Sequence, residues 1–134
     1  MINVGVTGVN GFIGTHLLSR LKLSTDIKKA TNCGMLILKL GERGGFINRS
    51  LGDDELNYFS IGSFASHISD AVGAGDAMLA YSTLAMLETN SEVIAGILGS
   101  LAAACECEYD GNIPIGPEKI IAKIDQISHH IRYE

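Results

Sequence analysis

Apolar residues at positions 2, 4 and 6 alternate with smaller ones, and Ile13, Leu17, Leu18 and Leu21 then recur at helical spacing after the glycines at 8, 11 and 14. This pattern predicts a strand, a glycine turn and a helix. The polar stretch 24–32 reads as a connector, and Met35-Leu36-Ile37-Leu38 is a continuous apolar run ending at Gly41, as expected of a strand buried on both faces. The first forty residues therefore read as a βαβ unit with parallel strands. Gly44-Gly45 turns into a further strand at 46–48, and 56–61 predicts one more. Beyond Gly73 and Gly75, three helices are predicted over about 75–88, 92–107 and 117–128, with Ser91 as an N-cap and Pro117 in a first-turn position. The middle helix carries Gly96, Gly99, Ser100, Ala102, Ala103 and Ala104, small enough to let another element approach its backbone closely.

Composition narrows the class. A chain of 134 residues, 46% hydrophobic and 19% charged, can bury the core of one compact domain. Ten basic against 15 acidic side chains, a net charge of −5, argue against a nucleic-acid partner, which needs a basic surface to displace counterions. Cys33, Cys105 and Cys107 cannot all pair within one chain, and Cys-Glu-Cys is neither a zinc knuckle nor a redox Cys-x-x-Cys motif, so a reducing, cytoplasmic setting is expected. No targeting or membrane segment is expected either, since the near-apolar run 93–105 falls well short of the roughly 20 residues that span a bilayer.

The chemistry concentrates in Asp70-Ala71-Val72-Gly73-Ala74-Gly75-Asp76, a glycine-rich loop running into an apolar helix. Backbone N–H groups of such a loop, with the positive end of the helix dipole, make an anion site suited to nucleotide phosphates. Asp76 in the first turn could then accept a proton from an alcohol attacking phosphorus. Local physics equally allows Asp76 merely to favour the helix N-terminus and the glycines merely to turn the chain.

These residues resemble a known family. Asp70 to Asp76 is similar to the second signature of ribokinase-type (PfkB) carbohydrate kinases, and Leu38-Lys39-Leu40-Gly41-Glu42-Arg43-Gly44-Gly45 looks like the strand and glycine turn upstream of it. The stretch 95–104, followed by Glu108-Tyr109-Asp110-Gly111-Asn112-Ile113-Pro114, resembles the alanine-rich helix and turn that flank the nucleotide. The resemblance covers about 33–128 and implies an α/β, three-layer parallel-sheet, ribokinase-like partial domain. It implies Asp76 as catalytic base, the amides of Gly73, Ala74 and Gly75 as anion hole, and Gly41 and Gly44 against the nucleotide. It also implies ATP with Mg2+ as cofactor and a sugar hydroxyl as acceptor. Asp70 aligns with a position that helps to place a monovalent cation such as K+, although Val72 stands where a threonine often stands. Family members are about twice as long or more, and their sugar-binding residues, lid strands and Asn-x-x-Glu magnesium motif precede the matching part, so this chain looks like the nucleotide-side third of a kinase, truncated or hybrid.

A second resemblance occupies the start. Val6-Thr7-Gly8-Val9-Asn10-Gly11-Phe12-Ile13-Gly14 is similar to the opening of extended short-chain dehydrogenases and sugar-nucleotide epimerases, with Gly8, Gly11 and Gly14 admitting a dinucleotide such as NAD. It stops near residue 23, and no Tyr-x-x-x-Lys pair follows. The expected organisation is an epimerase-like, Rossmann-like βα unit at 1–27 and a ribokinase-like nucleotide-binding part at 28–134, packed as one domain. An ATP-dependent sugar kinase, an NAD-binding protein and a non-catalytic homo-oligomerising remnant all remain open. His16, His67, His129 and His130 show no metal-ligand spacing, so no metal site is expected, and Lys39 reads as a phosphate contact or a solvated lysine on a strand face.

Overall fold

The computed structural model describes residues 4–8, 32–50, 56–111 and 113–133. Four strands, β1 (Val4–Gly8), β2 (Met35–Lys39), β3 (Gly45–Ser50) and β4 (Leu56–Ile61), precede three helices, α1 (Ala74–Thr89), α2 (Glu92–Cys107) and α3 (Pro117–Tyr133). The strands form one sheet in the order β1-β2-β3-β4. β1 and β2 are parallel, with Val6 opposite Ile37, as a βαβ unit requires. The helix expected around Ile13, Leu17, Leu18 and Leu21 lies outside the described residues.

The sheet is mixed rather than wholly parallel, which corrects the expected parallel arrangement. β3 runs antiparallel to β2, and β4 antiparallel to β3, with Ile37, Ile47 and Phe59 in register across the three strands. The cause is the length of the connection. Only residues 40–44 join β2 to β3, whereas a parallel return needs a crossover of about a dozen residues or more. A short 3-10 turn, Gly41–Arg43, fills that connection instead.

Alternation along β2 and β3 sorts side chains to two faces. Met35, Ile37 and Ile47 join Ala74, Met78, Ala85, Met86, Ala95 and Ala103 of the helices in one cluster. Leu36, Leu38 and Phe46 are buried on the opposite face, where Phe46 stacks on Tyr58 at 5.9 Å. β2 is thus buried on both sides, which explains its unbroken apolar run. A third cluster, Leu101, Ala102, Cys105 and Ile120, joins α2 to α3.

α2 lies centrally, between the sheet and α3, and its small residues permit this. A Cβ on Gly96 would come within 2.9 Å of Ile61 Cδ1 and 3.3 Å of Ile47 Cδ1 on the sheet. A Cβ on Gly99 would collide with Ser82 Oγ, so the α1–α2 crossing depends on a bare backbone at that point. Ser82 Oγ is buried there with no hydrogen-bond partner, a cost of about 1–3 kcal/mol that the close crossing offsets. Ser91 caps α2 by accepting the Ile94 N–H at 3.3 Å, and Pro117 opens α3. The turn between α1 and α2 is clamped from β3: Arg49 donates to the Asn90 carbonyl at 2.7 Å and to its Oδ1 at 2.8 Å, and pairs with Glu92 at 2.9 Å. Among the described residues, no helix is long and apolar enough to cross a membrane.

Gly44 closes the β2–β3 turn with φ +82°, and a Cβ there would lie 2.5 Å from the Gly62 carbonyl carbon and 2.8 Å from the Ser63 nitrogen. Gly41 also has positive φ, +63°, but faces open space. Gly41→Ala should therefore lower stability by about 1 kcal/mol, the left-handed strain alone. Gly44→Ala should cost at least about 2 kcal/mol more, because backbone must move as well. Equal denaturation midpoints for the two variants would contradict this packing.

Candidate functional site at the start of the first helix

α1 begins behind Gly73, which adopts a left-handed conformation, φ 87° and ψ −23°, natural to glycine. No side chain caps this helix. The N–H groups of its first turn thus lack a side-chain acceptor, and the Ala77 N–H is bonded to the Gly73 carbonyl at 2.9 Å. Asp76 stands exposed in that first turn, where a negative charge is favoured by the helix dipole.

The loop entering the helix is held from two directions. Ser69 and Asp70 both donate their N–H groups to the Cys107 carbonyl at the end of α2, at 2.7 and 3.2 Å. Asp70 Oδ1 accepts the Val72 N–H at 3.0 Å, a local turn that delivers the chain to Gly73. One oxygen of the Asp70 carboxylate is thereby committed to shaping the loop.

The β2–β3 turn and this loop meet across a cleft of about 110 Å3, lined by Lys39, Gly41 and Gly44 on one side and by Ala71, Ala74, Ser100 and Cys107 on the other. Complete small-molecule sites enclose roughly 300–1,000 Å3, so this is one wall of a site. Lys39 Nζ lies 3.7 Å from where a Cβ on Gly75 would stand. A larger cavity, about 630 Å3, opens elsewhere, between Phe64 and Ser66 and the end of α3, and none of its lining residues belongs to either glycine turn. Chemistry rather than size selects the smaller one.

Behind the cleft, Glu108 ties three elements together. It accepts the Ser66 N–H at 2.6 Å and pairs with Lys123 Nζ at 2.5 Å, while Lys123 also donates to Ser66 Oγ at 3.1 Å. Desolvation pushes the Glu108 carboxyl upward, but the Lys123 and Ser66 hydrogen bonds outweigh it, and the net value lies below the ordinary one. Burial pushes the Cys107 thiol up, partly opposed by Lys39, which leaves it a neutral lining group rather than a nucleophile.

Residues singled out in the sequence are thus partly brought together. Gly41 and Gly44 face Ala74 across one cleft, with Gly73 and Gly75 beside it. Asp70 anchors the loop and Asp76 follows it. Gly8 ends β1, while Gly11 and Gly14 of the dinucleotide-like segment lie outside the described residues. Among the described residues, no three His, Cys, Asp or Glu side chains are grouped to hold a metal. His67 is exposed, and His129 and His130 are exposed on α3. Lys39, read from the sequence as a phosphate contact or a solvated lysine, ends β2 and lines the cleft, at the C-terminal end of a strand where open α/β sheets bind ligands.

No protein-family model and no curated protein matches the chain. Solved structures do. A nucleoside kinase of Methanocaldococcus jannaschii, an archaeal member of the ribokinase family, superposes with a TM-score of 0.67 at 19% identity over 92% of this chain and 40% of that one. A ribokinase of Arabidopsis thaliana, solved with ribose and ATP, gives 0.67 at 18% identity over 92% and 41%. A probable sugar kinase of Rhizobium etli gives 0.66 at 17% identity over 93% and 36%. The chain therefore has the fold of a part of these kinases and spans about two-fifths of their length.

The Glu108 pair makes a prediction about acid. A carboxyl whose folded value is depressed contributes stability above its unfolded value, near 4.5, and loses it as pH falls through the folded value. Glu108→Gln should flatten the acid limb of the stability curve below about pH 4.5, and at neutral pH it should cost about 3 kcal/mol by leaving Lys123 without its counter-charge. Urea midpoints measured from pH 3 to pH 7 for both proteins check this; parallel curves would refute it.

Proposed function

We propose that this chain is the nucleotide-side part of an ATP-dependent kinase that phosphorylates a hydroxyl of a sugar or nucleoside. One observation carries the proposal: in a ribokinase-like fold, an uncapped helix N-terminus behind a left-handed glycine bears an acid in its first turn and faces a second glycine turn across a cleft. Such a helix end holds an anion without any side chain of its own.

In this function the amides of Gly73, Ala74 and Gly75 bind the phosphate being transferred and favour the charge that grows on it. Asp76 accepts the proton of the attacking hydroxyl, so that the new O–P bond forms on an oxygen that no longer carries hydrogen. Being exposed, it can meet an acceptor arriving from solvent or from a second polypeptide. Gly41 and Gly44 keep the opposite wall free of side chains, and Gly44 could not be replaced without moving the backbone after β4. ATP supplies the phosphoryl group. Mg2+ would bind through the substrate phosphates and one or two carboxylates rather than in a protein cage. A K+ ion beside Asp70 would have to use the carboxylate oxygen not bonded to Val72.

A complementary polypeptide or a second copy of this chain would complete the acceptor site, and homo-oligomerisation belongs to the proposal for that reason.

Asp76→Asn tests the assignment. Phosphoryl transfer from ATP to a panel of sugars and nucleosides should fall by about 10²–10⁴-fold. ATP should bind at least as tightly, because a negative charge beside the phosphates is removed. An unchanged transfer rate would sink the role of Asp76, and failure of the parent chain to bind ATP at all would overturn the function.

A further inference from the structure

We infer that Glu108 and Lys123 form a positioning pair: by holding the segment 66–70 against the end of α2 they fix where Gly73 to Gly75 stand, and so set the affinity of that turn for phosphate. The inference deepens the nucleotide-binding function proposed above and rests on it for the ligand, but not for the positioning itself.

The segment between β4 and α1 has little else to hold it. Ser66, His67, Ile68 and Ser69 are all exposed, and none belongs to a strand or a helix. Their place is therefore set by hydrogen bonds rather than by burial. Glu108 Oε1 accepts the Ser66 N–H at 2.6 Å, and the Ser69 hydroxyl donates to the Glu108 carbonyl at 3.4 Å. Immediately downstream, Ser69 and Asp70 are bonded to Cys107 and Asp70 to Val72, so a continuous run of contacts leads from Glu108 to Gly73. Releasing Ser66 frees the start of that run.

Two electrostatic costs are accepted at this point. Glu108 is the C-cap of α2, where the helix dipole disfavours a negative charge, and no basic residue stands in the last turn to relieve it. Lys123 is only 5% exposed, and a buried ammonium is costly unless its counter-charge is in place. The two offset one another across 2.5 Å, and the Lys123 ammonium also donates to Ser66 Oγ at 3.1 Å. Ser66 is thus gripped at its backbone by α2 and at its side chain by α3. An apolar pair of similar size would hold α2 to α3 as well, since desolvation consumes most of the attraction between buried ions. It could not supply the two directed hydrogen bonds to Ser66, and that is what distinguishes the ion pair from such a substitute.

The tests use the full chain at temperatures where circular dichroism shows each variant folded. In amide spectra taken without ligand, Glu108→Ala should displace the resonances of Ser66, Ser69, Asp70 and residues 73–76, whereas Glu108→Gln, which keeps an acceptor for the Ser66 N–H, should displace them less. Calorimetric titration with ATP should show about tenfold weaker binding for Glu108→Ala and about two- to threefold weaker binding for Glu108→Gln. The double variant Glu108→Met with Lys123→Met separates position from stability: it should melt close to the parent, yet bind ATP as weakly as Glu108→Ala. It also replaces Glu108→Ala in the amide spectra should that variant fail to fold. A double variant that binds ATP with the parent's affinity, or resonances of residues 73–76 that stay in place when Glu108 is replaced, would overturn the inference. Should the parent not bind ATP, the nucleotide function falls, and the same amide displacements still decide whether the pair sets the loop.

Discussion

The Cys107 carbonyl, accepting the N–H groups of Ser69 and Asp70, is the contact on which the geometry of the site depends. The loop 62–73 has no strand partner and α1 has no side-chain cap, so apart from the Asp70–Val72 turn the start of the helix is fixed from outside the loop. Two hydrogen bonds to the end of α2 supply that reference point. α2 is itself located by Gly96 against the sheet and Gly99 against α1, both of them contacts that a single methyl group would disturb. A chain of close approaches thus runs from β3 and β4 through α2 to the glycine loop. Function, in this account, depends on positions where side chains are missing.

Charge completes the arrangement. The described part of the chain neutralises its buried or half-buried cations selectively: Arg49 is paired with Glu92 and Lys123 with Glu108, each at a junction between elements. Lys39, at the end of β2, has no such partner and points toward a helix N-terminus. Ion pairs at the junctions hold loops and turns, whereas Lys39 lines the cleft beside the start of α1. Acidic residues around the cleft do not cancel it, since Asp70 serves the loop and Asp76 faces solvent.

Much of this was legible in the chain. Strands β2 to β4 and all three helices follow from hydrophobic spacing, caps and proline placement, with α2 matching at both ends and α3 running to Tyr133 because apolar periodicity persists past Ser128. Glycine turns at 41–44 and 73–75 identified themselves through composition. Strand direction was harder to read, because it depends on the five-residue connection 40–44, whose brevity outweighs the parallel habit of the family resembled. Illegible altogether were the Glu108–Lys123–Ser66 junction, whose members are separated by up to 57 residues, and the direction taken by Lys39. Long-range polar contacts leave no periodic trace, and a lysine at a strand end looks the same whether it faces water or a ligand.

The central claim is that the start of α1 receives phosphate, and backbone amide NMR tests it most directly. Titration with a non-hydrolysable ATP analogue should shift the amide resonances of Gly73, Ala74, Gly75 and Asp76 first and furthest, with smaller changes at Gly41 and Gly44. Saturable shifts that avoid residues 73–76 and gather around Ser66, Lys123 and His129 at the larger cavity would contradict the account, as would no shift at all.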